Sequence, residues 1–129
     1  MKKLIPILLS ALMLTGCAGT SNNKTNTYRQ ITMDEAIEMM AEERSYIILD
    51  VRRPDEYAAG HIPNAINVPN ETIGKDDIPE LPDKGQLIMV YCRSGRRSKE
   101  ASEKLVKLGY TNIVEFGGIL DWNGEIVTD

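Results

Sequence analysis

Blocks of apolar and polar residues follow one another along this chain with changing period, and the period predicts the elements. Leu4 to Leu14 is almost wholly apolar, interrupted by Pro6 and Ser10. Ala18 to Thr27 has no apolar periodicity and is rich in Ser, Thr, Asn and Gly, the composition of a flexible tether. Tyr28 to Ile31 suits a short first strand. Thr32-Met33-Asp34-Glu35 is a capping box, with Thr32 as N-cap and Glu35 at the third helical position. The helix behind it places Met33, Ile37, Met40 and Ala41 on one face. Tyr46 to Val51 is an apolar run that holds Asp50 near its end and suits a strand covered on both faces. Arg52 to Gly60 is charged and accommodates a helical turn at Asp55 to Tyr57. Ala65 to Val68 is another short strand, closed by Pro69. Asn70 to Gly85, with Gly74, Pro79 and Pro82, reads as loop with one helical turn near Ile78 to Leu81.

Leu87 to Tyr91 is the clearest buried strand, and Cys92 stands at its carboxyl end. Ser98 to Leu108 is amphipathic, with Ala101, Leu105 and Leu108 inward and Gly109 just past the helix end. Asn112 to Phe116 is a last strand, followed by Gly117-Gly118 and a short helical end around Trp122. Strands and helices alternate, which predicts an α/β domain with a mainly parallel central sheet flanked by helices. The 129 residues suffice for one domain, here residues 28–129.

The formal net charge is -4, and Lys2 and Lys3 are the only charges in the first sixteen residues, so the remainder is more acidic still. An acidic body argues against nucleic acid as a partner, because that binding rests on phosphate neutralisation by Lys and Arg. Any anion site must be a local basic feature.

Lys2 and Lys3 followed by the run to Leu14 fit a signal peptide over residues 1–16; the run is shorter than the ~20 residues a membrane-spanning helix needs. Leu14-Thr15-Gly16-Cys17 resembles the bacterial lipobox, in which cleavage precedes a Cys that then carries acyl chains. That resemblance implies an exported protein, anchored at Cys17 to a bacterial membrane on its periplasmic or extracellular face. With Cys17 lipidated, Cys92 has no partner in the chain. A lone thiol of an exported protein is either a small buried hydrophobe or a group kept for chemistry.

The surroundings of Cys92 favour chemistry. Ligands of open α/β sheets bind beyond the carboxyl ends of the strands. Arg93, Ser94, Gly95, Arg96 and Arg97 separate Cys92 from the helix predicted at Ser98. A short loop feeding a helix points N–H groups and the positive end of the helix dipole at one spot, and three guanidinium groups join them. These effects stabilise a thiolate nucleophile and a bound tetrahedral oxyanion, and Gly95 permits the tight curvature.

Cys92-Arg93-Ser94-Gly95-Arg96-Arg97-Ser98 resembles the active-site loop of the rhodanese homology domain. Leu49-Asp50-Val51-Arg52, Glu56-Tyr57, and Gly60-His61-Ile62-Pro63 through Ala65-Ile66-Asn67-Val68-Pro69 resemble that family's first signature region. Phe116-Gly117-Gly118 and Trp122 resemble its C-terminal segment. The resemblance implies a sulfurtransferase: Cys92 takes a sulfane sulfur from a small anionic donor such as thiosulfate, forms a persulfide, and passes the sulfur to cyanide or a thiol. Loop amides and arginines would stabilise the anion, and neither metal nor organic cofactor is required.

Asp50 and Arg52 are supporting candidates. Asp50 could accept from a loop arginine or simply end its strand; Arg52 could reach substrate or pair with a carboxylate, and the structural role is favoured. For His61, the only histidine, the family position implies packing and hydrogen bonding rather than general-base work. Rival readings are a non-catalytic persulfide carrier or binding module and a Cys-dependent phosphatase. The phosphatase loop Cys-x5-Arg would need Arg at position 98, where Ser stands. A thiol-redox protein ranks last, since no Cys-x-x-Cys occurs.

Overall fold

A computed structural model describes residues 27–128. The expected leader, Cys17 and all of the tether except Thr27 lie outside the described residues. The elements run β1 (Arg29–Gln30), α1 (Met33–Glu42), β2 (Ile47–Asp50), α2 (Pro54–Ala59), β3 (Ile66–Asn67), β4 (Ile88–Cys92), α3 (Arg96–Lys107) and β5 (Ile113–Gly118). Short 3₁₀ turns cover Asn70–Thr72 and Ile119–Asp121. The five strands form one parallel sheet in the order β1-β5-β4-β2-β3. The fold is α/β, as the alternation of elements predicts.

The two-residue period of the strands divides the core into two layers. Leu49 and Val51, Ile88, Val90 and Cys92, and Ile113 face α3, where Ala101 and Leu105 meet them. Ile48, Met89, Tyr91, Val114 and Phe116 face the other way, onto Ala36 of α1 and onto Tyr57, Ile62 and Trp122. The capping box of α1 forms in full: Glu35 N–H donates to Thr32 Oγ1 at 3.1 Å, and Thr32 N–H to Glu35 Oε1 at 2.8 Å.

The buried face of α1 is rotated from the expected one. Ala36 is its fully buried residue, with Met33, Met39 and Met40 packed beside it, while Ile37 and Ala41 are exposed. Met33, Ala36 and Met40 satisfy helical spacing as well as the expected set, and the small Ala36 lets the helix sit close to the sheet. Helix α3 begins at Arg96 rather than Ser98, so only Arg93, Ser94 and Gly95 form the loop proper. Gly95 is the N-cap at φ 117°, a left-handed conformation that reverses the chain within three residues. The α3 terminus is a Schellman motif: Tyr110 N–H donates to Leu105 O at 3.1 Å and Gly109 N–H to Val106 O at 3.0 Å.

Candidate active site

Cys92 ends the inner strand β4 and is 1% exposed. Its Sγ accepts the Gly95 N–H at 3.0 Å and lies 3.5 Å from Ser98 Oγ in the first turn of α3. The thiol is therefore buried yet held by polar groups on its loop side. The loop is seated on β5. Gly118 approaches it so closely that a Cβ there would lie 2.0 Å from Arg93 O, and Leu120 N–H donates to Arg93 O at 3.2 Å. A register shift between Val90 and Cys92 turns the end of β4 so that Cys92 pairs with Gly118.

Arg93, Ser94, Arg96 and Arg97 line a cavity of about 420 Å³ together with Arg53 and Glu71. Two of the three loop guanidinium groups, those of Arg96 and Arg97, are engaged by carboxylates. Arg96 points along its helix to Glu100 at 3.0 Å. Arg97 donates to both oxygens of Glu56, at 2.7 and 3.1 Å. Arg53 holds Asp55 at 3.0 Å. An acidic chain supplies each of these cations with a nearby carboxylate. Arg93 is the lining arginine that has no ion pair among the described residues.

Asp50 and Arg52 come together, but away from the loop. Asp50 is fully buried; Arg52 Nη2 donates to its Oδ2 at 2.6 Å and Arg52 Nε to its Oδ1 at 3.0 Å. Tyr91 O–H donates to Asp50 Oδ2 at 2.7 Å, and Arg52 Nη2 also reaches Gly60 O at 2.7 Å. Asp50 pairs in register with Tyr91, not Cys92, so strand parity sends its carboxylate to the face opposite the sulfur. The alternative in which a loop arginine donates to Asp50 is thereby replaced by the Arg52 pair. Burial and the Asp50 carboxylate push the Tyr91 phenol well up. His61 stacks on Tyr57 at 3.7 Å, its Nδ1 is 2.9 Å from Tyr57 O, and its backbone bridges to Val127.

Sequence reading missed Glu115. It is 2% exposed on β5, beside Ile113 on the face that packs against α3. Its Oε2 accepts Ser98 O–H at 2.5 Å and Gly117 N–H at 2.9 Å. The signal was present: an acid inside the apolar run Ile113-Val114-Glu115-Phe116, at an inward position.

These features define a class, an α/β domain with a cysteine loop at the carboxyl edge of a parallel sheet. The family description "Rhodanese-like domain" matches residues 32–125. The chain belongs to the rhodanese-like family. It is 38% identical over 73 residues to thiosulfate sulfurtransferase PspE of Escherichia coli (strain K12), covering 57% of this chain and 70% of that one. It is 33% identical over 94 residues to a sulfurtransferase of Allochromatium vinosum, covering 72% and 86%. Among solved structures, a rhodanese with anions from E. coli superposes with a TM-score of 0.60 at 34% identity, covering 66% of this chain and all of that one. Sulfur transfer is the chemistry these relatives share.

Proposed function

We propose that this protein moves a sulfane sulfur through a persulfide on Cys92. The Cys92 thiolate attacks the outer sulfur of thiosulfate; an S–S bond forms on Cys92, and the S–S bond of thiosulfate breaks with sulfite leaving on its electron pair. Cyanide or a thiolate then attacks the terminal persulfide sulfur and the Cys92 thiolate returns. The observation that carries this reading is the Cys92 Sγ at the sheet edge, accepting the Gly95 N–H at 3.0 Å where the loop enters α3. Amides at that position favour sulfur anions over neutral thiols. Arg93, Ser94, Arg96 and Arg97 wall a cavity suited to an anionic donor.

A thiosulfate-to-cyanide assay on the full chain tests it: thiocyanate forms, and Cys92→Ser abolishes it. Mass spectrometry after thiosulfate treatment adds one sulfur to the chain at Cys92. Absence of both products would refute the reading. The burial of Cys92 favours a second one, a persulfide carrier, which would take up one sulfur per chain without turnover. Aryl phosphate hydrolysis exceeding sulfur transfer would instead indicate a phosphatase.

Residues 1–16 we read as a leader, Cys17 as the acylated N-terminus, 18–27 as a tether and 28–129 as the domain. The composition and the Leu14-Thr15-Gly16-Cys17 sequence support this. Mass spectrometry of native protein checks it: an intact Met1 terminus with unmodified Cys17 would exclude lipid anchoring outside the cytoplasm.

A further inference from the structure

A buried carboxylate stands one hydroxyl away from the candidate nucleophile. Val90 and Glu115 pair in register on β4 and β5, so strand parity turns Cys92 and Glu115 to the same side of the sheet, toward α3. Ser98 projects between them: its Oγ is 3.5 Å from Cys92 Sγ and 2.5 Å from Glu115 Oε2. Gly95 O and Gly117 O are also near the hydroxyl, at 2.9 and 3.3 Å. A serine has one proton to donate and two lone pairs with which to accept. Its shortest contact is the carboxylate, and a charged acceptor outcompetes neutral carbonyls. The Ser98 proton therefore goes to Glu115, leaving a lone pair for the Cys92 S–H.

We propose that Glu115, acting through the Ser98 hydroxyl, accepts the proton of the Cys92 thiol. In this step the Cys92 S–H bond breaks and its proton forms a new O–H bond on Ser98. The original Ser98 O–H bond breaks and that proton forms an O–H bond on Glu115. Cys92 becomes thiolate, Glu115 becomes a neutral acid, and Ser98 is unchanged. The hydrogen bonds then run in reverse, Glu115 to Ser98 and Ser98 to the thiolate, so no buried polar group loses its partner. The net charge of the buried cluster is the same before and after, which avoids adding an uncompensated charge to the interior.

The groups facing this cluster come from α3, from β1 and from the residue that precedes β1. From α3, Lys99 Nζ lies 3.8 Å from Glu115 Oε1, and Arg97 interacts electrostatically with Cys92. From β1, Gln30 Nε2 donates to Glu115 Oε1 at 3.5 Å. Tyr28, just before β1, is held up by burial and by Glu103 and Glu115. None of these replaces Ser98 as the bridge between acid and thiol.

The proposal rests on Cys92 being the nucleophile but is tested without sulfur transfer. Thiolate formation is followed by ultraviolet absorbance against pH, as the difference between the full chain and Cys92→Ser, which cancels Cys17. Coupled groups lose protons in two macroscopic steps. The parent should show two steps, with thiolate already present on the plateau between them. Glu115→Gln and Ser98→Ala should each lose the plateau and show one step, the thiolate falling about tenfold per pH unit below it. Glu115→Asp should restore the plateau. A single step in the parent, or a plateau that survives in either Glu115→Gln or Ser98→Ala, overturns the relay; Ser98→Ala alone decides if Glu115→Gln fails to fold. Two steps in a parent that never loads sulfur from thiosulfate would sustain the relay and overturn the sulfur-transfer reading instead.

Discussion

Arg97 clasps Glu56, the third residue of α2, with both of its terminal nitrogens at 2.7 and 3.1 Å. The same carboxylate accepts the Arg53 N–H at 3.0 Å, so one acid caps α2 and ties it to α3. The Arg97 hydrogen bonds, against an opposing cost of burial, hold the Glu56 carboxyl at about 2 from an ordinary 4.5.

A carboxyl depressed in the folded state contributes stability above its ordinary value and loses it as pH falls through the folded one. The Glu56 contribution is thus complete above 4.5 and drains away toward about 2. Glu56→Gln should cost roughly 1 kcal/mol at neutral pH, as expected of a partly screened pair, and flatten the loss of stability across that acid window. Urea midpoints measured against pH check this; superimposable acid limbs would exclude the linkage.

The seat of the loop on β5 leads to a second expectation. A Cβ at Gly118 would lie 2.0 Å from Arg93 O and 2.5 Å from Ser94 N, both backbone atoms that cannot swing aside. Gly118→Ala should destabilise the fold by about 1–3 kcal/mol through overpacking. It should also reduce thiocyanate formation far more than that loss of folded protein explains, because the shift falls on the residues next to Cys92. Thermal melts and assays normalised to folded protein separate the two effects. Full specific activity in the alanine variant would show that the loop tolerates displacement.

Most of the architecture was legible because the strands are continuous apolar runs and the helices carry unambiguous punctuation, Thr32 and Glu35 at one start and Gly109 at one end. What was not legible depends on pairing across the sheet. That Asp50 meets Arg52 and Tyr91 instead of a loop arginine follows from the Asp50–Tyr91 register, which no single strand reveals. Glu115 hides for the same reason: its inward direction is set by β5, while its meaning comes from Ser98 on α3. The arginines of the loop were legible as charges but not as partners, since Glu56 is 41 positions distant in sequence.

The Asp50–Arg52 pair predicts a large stability effect. Arg52 is 6% exposed and Asp50 fully buried, so Asp50→Leu leaves a guanidinium without its counter-charge. Breaking a buried pair from one side typically costs about 3–5 kcal/mol. Tyr91→Phe, which removes only the hydroxyl that donates to Asp50 and accepts from Ile62 N–H, should cost about 1 kcal/mol. Denaturant unfolding of the two variants gives the comparison, and equal losses would mean that the ion pair contributes no more than the hydrogen bonds of the Tyr91 hydroxyl.

Donor recognition should separate the arginines according to their pairing. Arg96 spends its charge on Glu100 and Arg53 on Asp55, whereas Arg93 lines the same cavity without an ion pair among the described residues. An incoming anion must compete with a carboxylate for Arg96 but not for Arg93. Arg93→Ala should therefore raise KM for thiosulfate by about fivefold, the equivalent of roughly 1 kcal/mol for an exposed contact. Because the interaction holds donor and transition state alike, kcat should change little. Arg96→Ala should raise KM less, and the difference should shrink as ionic strength screens exposed charge. Steady-state kinetics of the two variants at low and high salt test the ordering. A larger KM increase for Arg96→Ala would mean that the donor displaces Glu100 from its arginine when it binds.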